Sequence, residues 1–204
     1  MIRRLSYYLS LSLLPFAASG EVPGIHLADK TLKVELIDSD AKEFFVSQTM
    51  DLSGRLFVGC REALYVYEPT AKGGFGPRRE LYRFPKDSWL YDLEVYGNDL
   101  FVLTNTALYR MADAVTRRNN LEPEKILWGK PQGHFHQGLH GMEFGPTGDL
   151  FLSMGDPQPH MHWDRSRPDH LWHWVFYVGP DNKEVPYTGV GAIFRYRLED
   201  HSLS

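Results

Sequence analysis

Seven of the nine histidines in this 204-residue chain fall between His134 and His173. They divide into two groups. His134, His136 and His140 stand at the threshold of an apolar run, and His160, His162, His170 and His173 lie in a polar, aromatic stretch spanning 153–191. That stretch also carries Asp156, Asp164, Arg165, Arg167 and Asp169, with Trp163, Trp172 and Trp174. Imidazole, guanidinium, carboxylate and indole together suit an anionic or aromatic ligand that is held in place and made to exchange protons.

Three readings of the histidines stay open at this point. One of them is a general base while the others shape a pocket. His134-x-His136 or His160-x-His162 holds a metal, since alternate residues of a strand share a face, although no carboxylate follows at a usual ligand spacing. Or they are loop residues that bond backbone groups and stack on tryptophan. Asp156, after Met154-Gly155, either caps the turn into Pro157 or orients an imidazole. Arg61, at the tip of a hairpin, is either a solvated turn residue or a cation for an anionic ligand. Trp172, Trp174 and Phe176 read as packing for a long insertion, and Cys60, inside an apolar strand, as an inert core thiol.

These residues need a scaffold, and the chain writes one three times. Leu56-Phe57-Val58 recurs as Leu100-Phe101-Val102 and as Leu150-Phe151-Leu152, at spacings of 44 and 50 residues. A second apolar run starts 7 residues after the first two copies, at Ala63 and Ala107, but 42 residues after the third, at Ala192. Gly54, Asn98 and Gly148 stand two residues before each copy and tolerate the positive φ of a tight turn. Short strands repeating at this period read as β-propeller blades, here about 44–84, 89–128 and 139–197. In the first blade the strands are expected at 44–50, 56–60, 64–67 and 80–84, and in the second at 91–96, 100–104, 107–111 and 125–128. Residues 113–121 read as an exposed loop or short helical turn. The third blade ends its third strand near Arg197 with no fourth strand to follow, so the chain reads as all-β and as an incomplete ring, a fragment or one half of a pair. The alternating residues 32–37 read as a further strand able to close a ring, and the His-rich excursion at 153–191 is expected to crown one rim of the axis.

The N-terminus reads as a targeting segment. Arg3 and Arg4 precede an apolar stretch over 5–18, and Ala18-Ser19-Gly20 offers small residues for cleavage after Gly20. An uncleaved anchor is the alternative, and either reading places the protein outside the cytoplasm, periplasmic or secreted. The net charge of −4 gives no basis for binding nucleic acid, and the lone Cys60 excludes an internal disulfide or a haem-attachment motif within these residues.

The segment GLHGMEFGPTGDLFLSMGD resembles the Gly-Pro-x-Gly…Gly-Asp signature of soluble quinoprotein glucose dehydrogenases and their sugar-dehydrogenase relatives. FVGCREALYVY resembles the hairpin that carries a Glu-Arg pair near the quinone in that family. With FPKDSWLYDLEV, HFHQGLHG, SMGDP and PYTGVG added, the chain is most similar to a bacterial group of membrane-bound dehydrogenase propellers. The resemblance implies part of a six-bladed ring that holds pyrroloquinoline quinone (PQQ) over its axis and uses calcium, with a c-type haem domain or a second propeller half supplied elsewhere. Counting back from Gly145 puts the family's base histidine at Gln137, with His136 one residue earlier, while His140 stands near the place of a family arginine.

The function implied is oxidation of a sugar or alcohol hydroxyl. His136 or His140 would take the proton and Asp156 would orient the imidazole. Arg61 and Arg165 would meet the quinone's carboxylates, with Asp169 and His170 as further cofactor contacts. Two rival readings are a non-catalytic propeller that binds a polysaccharide or protein, and a metal-dependent lactonase-like propeller.

Overall fold

The structure is a computed structural model and describes residues 28, 34–117, 119–129, 139–155, 173–188 and 192–204. The N-terminal segment 1–20 lies outside them. Every regular element among the described residues is a β-strand: β1 Ser47–Met50, β2 Leu56–Gly59, β3 Ala63–Tyr67, β4 Arg79–Arg83, β5 Leu90–Tyr96, β6 Asp99–Thr104, β7 Ala107–Met111, β8 Glu124–Gly129, β9 Leu139–Phe144, β10 Leu150–Met154, β11 His173–Val178, β12 Lys183–Thr188 and β13 Ala192–Tyr196.

β1 to β4 form a four-stranded antiparallel meander, and β5 to β8 repeat it. The third sheet runs β9, β10, β13. The middle strands of the first two sheets are buried on both faces, whereas the third sheet is buried on one face and leaves Phe151 and Ile193 exposed on the other. Phe57, Leu64 and Val66 meet Leu90, Leu93, Leu100 and Val102 of the second sheet. The opposite face of that sheet sends Phe101, Leu103 and Leu108 against Leu150, Leu152, Phe194 and Tyr196 of the third. The sheets approach most closely at their first strands, with β5 beside β1 on one side and β9 on the other. Stacked sheets that converge at one edge fan about that edge, and the fold is an incomplete β-propeller.

Four expectations need correction or refinement. Residues 34–40 form no strand, and Ile37 instead packs on the outer face of the first blade with Leu56, Cys60, Tyr65 and Tyr67. Polar anchors hold this segment down: Tyr67 donates to Asp38 and Tyr65 to Glu43, both at 2.7 Å, and Arg78 pairs with Asp38 and Asp40. Alternation gave 32–37 an apolar face, but over the described part, from residue 34 on, side chains rather than a strand partner hold the segment. Second, no strand follows β13, but its edge is not bare: residues 202–204 turn back along it as an isolated antiparallel bridge, where Arg195 and Ser204 exchange both backbone hydrogen bonds. Third, the positive φ of the second hairpin falls on Gly97 rather than Asn98, whereas Gly54 and Gly148 adopt it as expected. Fourth, the loop 113–121 is not wholly exposed, since Ala114 and Leu121 are buried in the core between the first two blades.

The excursion is the larger departure. Its described part is the hairpin β11–β12, and β11 pairs with β8, the outermost strand of the second blade, making that sheet six-stranded. Phe176 and Val178 are buried there, with Val185 packed against them, in the core shared with β13. Burying that apolar surface is what draws the hairpin to the rim of the neighbouring blade and away from the axis.

Candidate functional site

In an antiparallel meander the connections after the second and fourth strands share one end. That end gathers the β2–β3 turn at 60–62, the β4–β5 connection at 84–89 and the β6–β7 turn at 105–106, and there β9 begins and β10 ends. Backbone bonds lock it together. Leu90 N–H donates to Cys60 O at 3.2 Å, Phe84 N–H to Glu62 O at 2.7 Å and Asn105 N–H to Trp89 O at 3.2 Å. Ser47 Oγ donates to Leu90 O at 2.6 Å, joining the first strands of two blades.

Two of the innermost strands carry a bulge at this end. β5 shifts register between Leu90 and Asp92, and β9 shifts so that Met154 faces Leu139 while Ser153 faces Gly141. The extra residues that the two registers step over are Tyr91 and His140. Each bulge lets apolar residues three apart share one face: Leu90 with Leu93 toward the first blade, and Leu139 with Met142 toward the second. Tyr91 and His140 are the residues this leaves out of the core alternation, and their rings meet at 5.1 Å, tilted by 38°. Burial pushes the Tyr91 phenol up to about 12. His140 thus lies inside β9, not ahead of the strand as the sequence implied.

Asp92 follows Tyr91 and was not singled out by sequence. Its carboxylate accepts the Leu93 N–H at 2.9 Å and, across the blade boundary, the Met142 N–H at 2.7 Å. Burial pushes its carboxyl above the usual range against the pull of those donors, and the Glu143 charge adds to the rise. A Cβ at Gly141 would press on Ser153 Oγ at 3.1 Å and make only ordinary contact with Asp92 Oδ2 at 3.7 Å. The signal for Asp92 was a carboxylate within an apolar strand.

Arg61 stands at the same end, engaged elsewhere. Its Nη2 lies 2.5 Å from Asp87 Oδ1, and its guanidinium lies 5.1 Å over the Trp89 ring. Asp87 is held in turn by its N–H, which donates to Glu62 Oε1 at 3.0 Å. Phe44 meets Trp89 edge-on at 5.9 Å. Cys60 is fully buried, and burial with the nearby Glu43 charge pushes its thiol up to about 12, as expected of an inert core residue.

Of the candidate residues, Arg61 and His140 are thus placed at one end of the blades. His136, Asp156, Arg165, Asp169 and His170 lie outside the described residues, as do His134, His160 and His162. His173 opens β11, four strand positions out from β5, a lateral distance of about 19 Å at the usual strand spacing. His140 and His173 therefore belong to different parts of the molecule. Among the described residues, no three His, Cys, Asp or Glu side chains gather as metal ligands.

No family model matches the chain, and no curated protein matches it. Similar solved structures include a protein of unknown function from Bacteroides caccae, with a TM-score of 0.41 and 12% identity over 83% of this chain and 50% of that one. A streptogramin B lyase structure has a TM-score of 0.42 and 11% identity over 81% of this chain and 54% of that one. A catalytically inactive virginiamycin B lyase from Staphylococcus aureus, solved with quinupristin, has a TM-score of 0.40 and 11% identity over 81% of this chain and 59% of that one. The chain thus spans little more than half the length of these proteins. The blade assignment rests on strand pairing and core packing, independently of these likenesses.

Proposed function

We propose that this chain is part of an exported, quinoprotein-type dehydrogenase propeller acting on a sugar or alcohol, with His140 as the proton acceptor. The observation that carries the reading is the bulge that takes His140 out of the core alternation and sets its ring against Tyr91, at the end of the innermost strands where Arg61 also stands. An imidazole nitrogen in that place can accept the proton of a substrate hydroxyl. The Tyr91 ring, held on the neighbouring strand, limits the imidazole's rotation and keeps water from one of its sides. Arg61 fits a quinone carboxylate once Asp87 releases it, because a guanidinium exchanges one carboxylate for another with little change in geometry. The chemistry that PQQ supplies when bound is acceptance of the hydride. Arg165, Asp169 and His170 are the further contacts this reading requires, with calcium as its metal.

The full chain is incubated with PQQ and calcium, and quinone binding and dye reduction are followed over a panel of sugars and alcohols. Quinone binding with reduction that His140→Ala lowers by about 10²-fold or more supports the reading. No bound quinone and no reduction retires it.

A second reading, a propeller that binds without reacting, is favoured by the Arg61–Asp87 pair, since the cation meant for a cofactor is already neutralised. Under it, ligand binds without quinone, and His136→Ala leaves that affinity unchanged.

A further inference from the structure

We infer that Phe44, Trp89, Tyr91 and His140 form an aromatic row that binds a neutral oligosaccharide across the axial end of the blades. The row runs from the residue group ahead of β1 to the first strand of the third blade. Phe44 meets Trp89 at 5.9 Å, and Tyr91 meets His140 at 5.1 Å. Trp89 and Tyr91 flank Leu90 at the start of β5, where the bulge begins, and so stand at the same end of that strand. A ladder of rings crossing blade boundaries matches a chain-like ligand better than a compact one. Phe44 is 66% exposed although it is a large apolar side chain, which marks the start of the row as an open surface.

The polar groups beside the row decide the ligand class. Arg61 and Asp87 are 49% and 56% exposed, and they face each other beside Trp89. The pair sums to zero charge yet presents free N–H donors and a second carboxylate oxygen to solvent. A neutral polyol uses both kinds of group at once. Its hydroxyls accept from the guanidinium and donate to the carboxylate, while the C–H face of each pyranose lies on an aromatic ring. An anionic ligand would have to displace Asp87 from Arg61.

The site bears on the binding reading above but serves a dehydrogenase equally, so its test is run without quinone or electron acceptor and reads binding alone. The full chain is titrated calorimetrically with cellohexaose, xylohexaose and maltohexaose. Binding of at least one hexasaccharide is expected, with glucose much weaker because it covers one ring at a time. Phe44→Ala and Trp89→Ala each weaken that binding roughly five- to tenfold. Arg61→Lys also weakens it, by removing the fork while keeping the charge. Trp128→Phe, at the outer edge of the second blade, leaves it unchanged. Phe44→Ala removes an exposed ring and leaves the fold intact, so its affinity is readable even if Trp89→Ala unfolds. No binding of any hexasaccharide by the native chain, or binding unaffected by Phe44→Ala and Arg61→Lys, overturns the inference.

Discussion

The Asp92 carboxylate on β5 accepts the Met142 N–H of β9 at 2.7 Å, and this bond ties the innermost strands of neighbouring blades. β-Sheet pairing holds strands together within a blade, but between blades most contacts are non-directional packing. A directed bond at the innermost strands fixes the rotational setting of one blade on the next, and with it the meeting of Tyr91 and His140.

Asp92→Asn keeps one acceptor for two N–H donors, so the variant loses about 1–3 kcal/mol of stability. The pH dependence has a definite sign. Burial raises the folded pKa of Asp92 above its unfolded value. Its contribution is therefore fully present in acid, below the unfolded value near about 3.9, and is lost as pH rises through the raised folded value. Asn does not titrate, so the stability gap between wild type and variant narrows from acid toward neutral pH. Denaturant midpoints measured across that interval check this, and a gap that widens contradicts it.

Asp51 and Arg55 give the opposite sign at the other end of the first blade. Both are 6% exposed, and Arg55 Nε donates to Asp51 Oδ2 at 2.7 Å. Burial alone would push the Asp51 carboxyl up, but the Ser53 hydroxyl, the Arg55 N–H and the Arg55 guanidinium outweigh it and hold the carboxyl below its usual value. That stability is present above the unfolded carboxylate range and is lost as pH falls through the folded value. Arg55→Met strands a buried carboxylate at pH 7 and costs about 3–5 kcal/mol. The cost shrinks in acid as Asp51 protonates, which thermal unfolding at two pH values reads directly.

The segment 34–46 covers Cys60, and Arg78 is its principal clamp through Asp38 and Asp40 and through the face of Tyr65 at 4.8 Å. Native Cys60 is buried and its thiol is pushed up to about 12, so it resists a maleimide at pH 8. Arg78→Ala loosens the cover and raises the labelling rate severalfold through local opening, with little change in global stability. Mass spectrometry of labelled protein follows it. Labelling as slow as in wild type means the apolar contacts of Ile37 and Phe45 hold the segment unaided.

Much of the scaffold was legible because it repeats. Leu-Phe-Val at 56 and 100 and Leu-Phe-Leu at 150, each with its following apolar run, specify an antiparallel strand pair, buried on both faces in the first two copies and on one face in the third. The site was less legible. Leu90 and Leu93, or Leu139 and Met142, are spaced by three, a spacing that period-2 reasoning treats as noise but that a bulge converts into one face. The same oddity marks Tyr91 and His140 as the residues set apart. Richness in histidine and tryptophan was a poorer guide. It set His140 and His173 in two groups of one His-rich span but could not tell that His173 opens the outer hairpin, because composition along the chain carries no information about which neighbouring edge an insertion will choose.

That choice of edge makes the last prediction. Phe176 is 1% exposed, and its ring meets Phe194 edge-on at 5.2 Å in the core between the second and third blades. If the hairpin β11–β12 is an integral part of the second blade, truncating this ring opens a cavity in a shared core. Phe176→Ala then costs about 3–5 kcal/mol. It also lowers the cooperativity of unfolding, since β8 loses the partner that protects its outer edge. Glu184→Ala, on the exposed part of the same hairpin, changes stability by less than about 0.5 kcal/mol. Guanidinium unfolding of the two variants separates the cases. An excursion that merely rested on the surface would give both substitutions the same small effect.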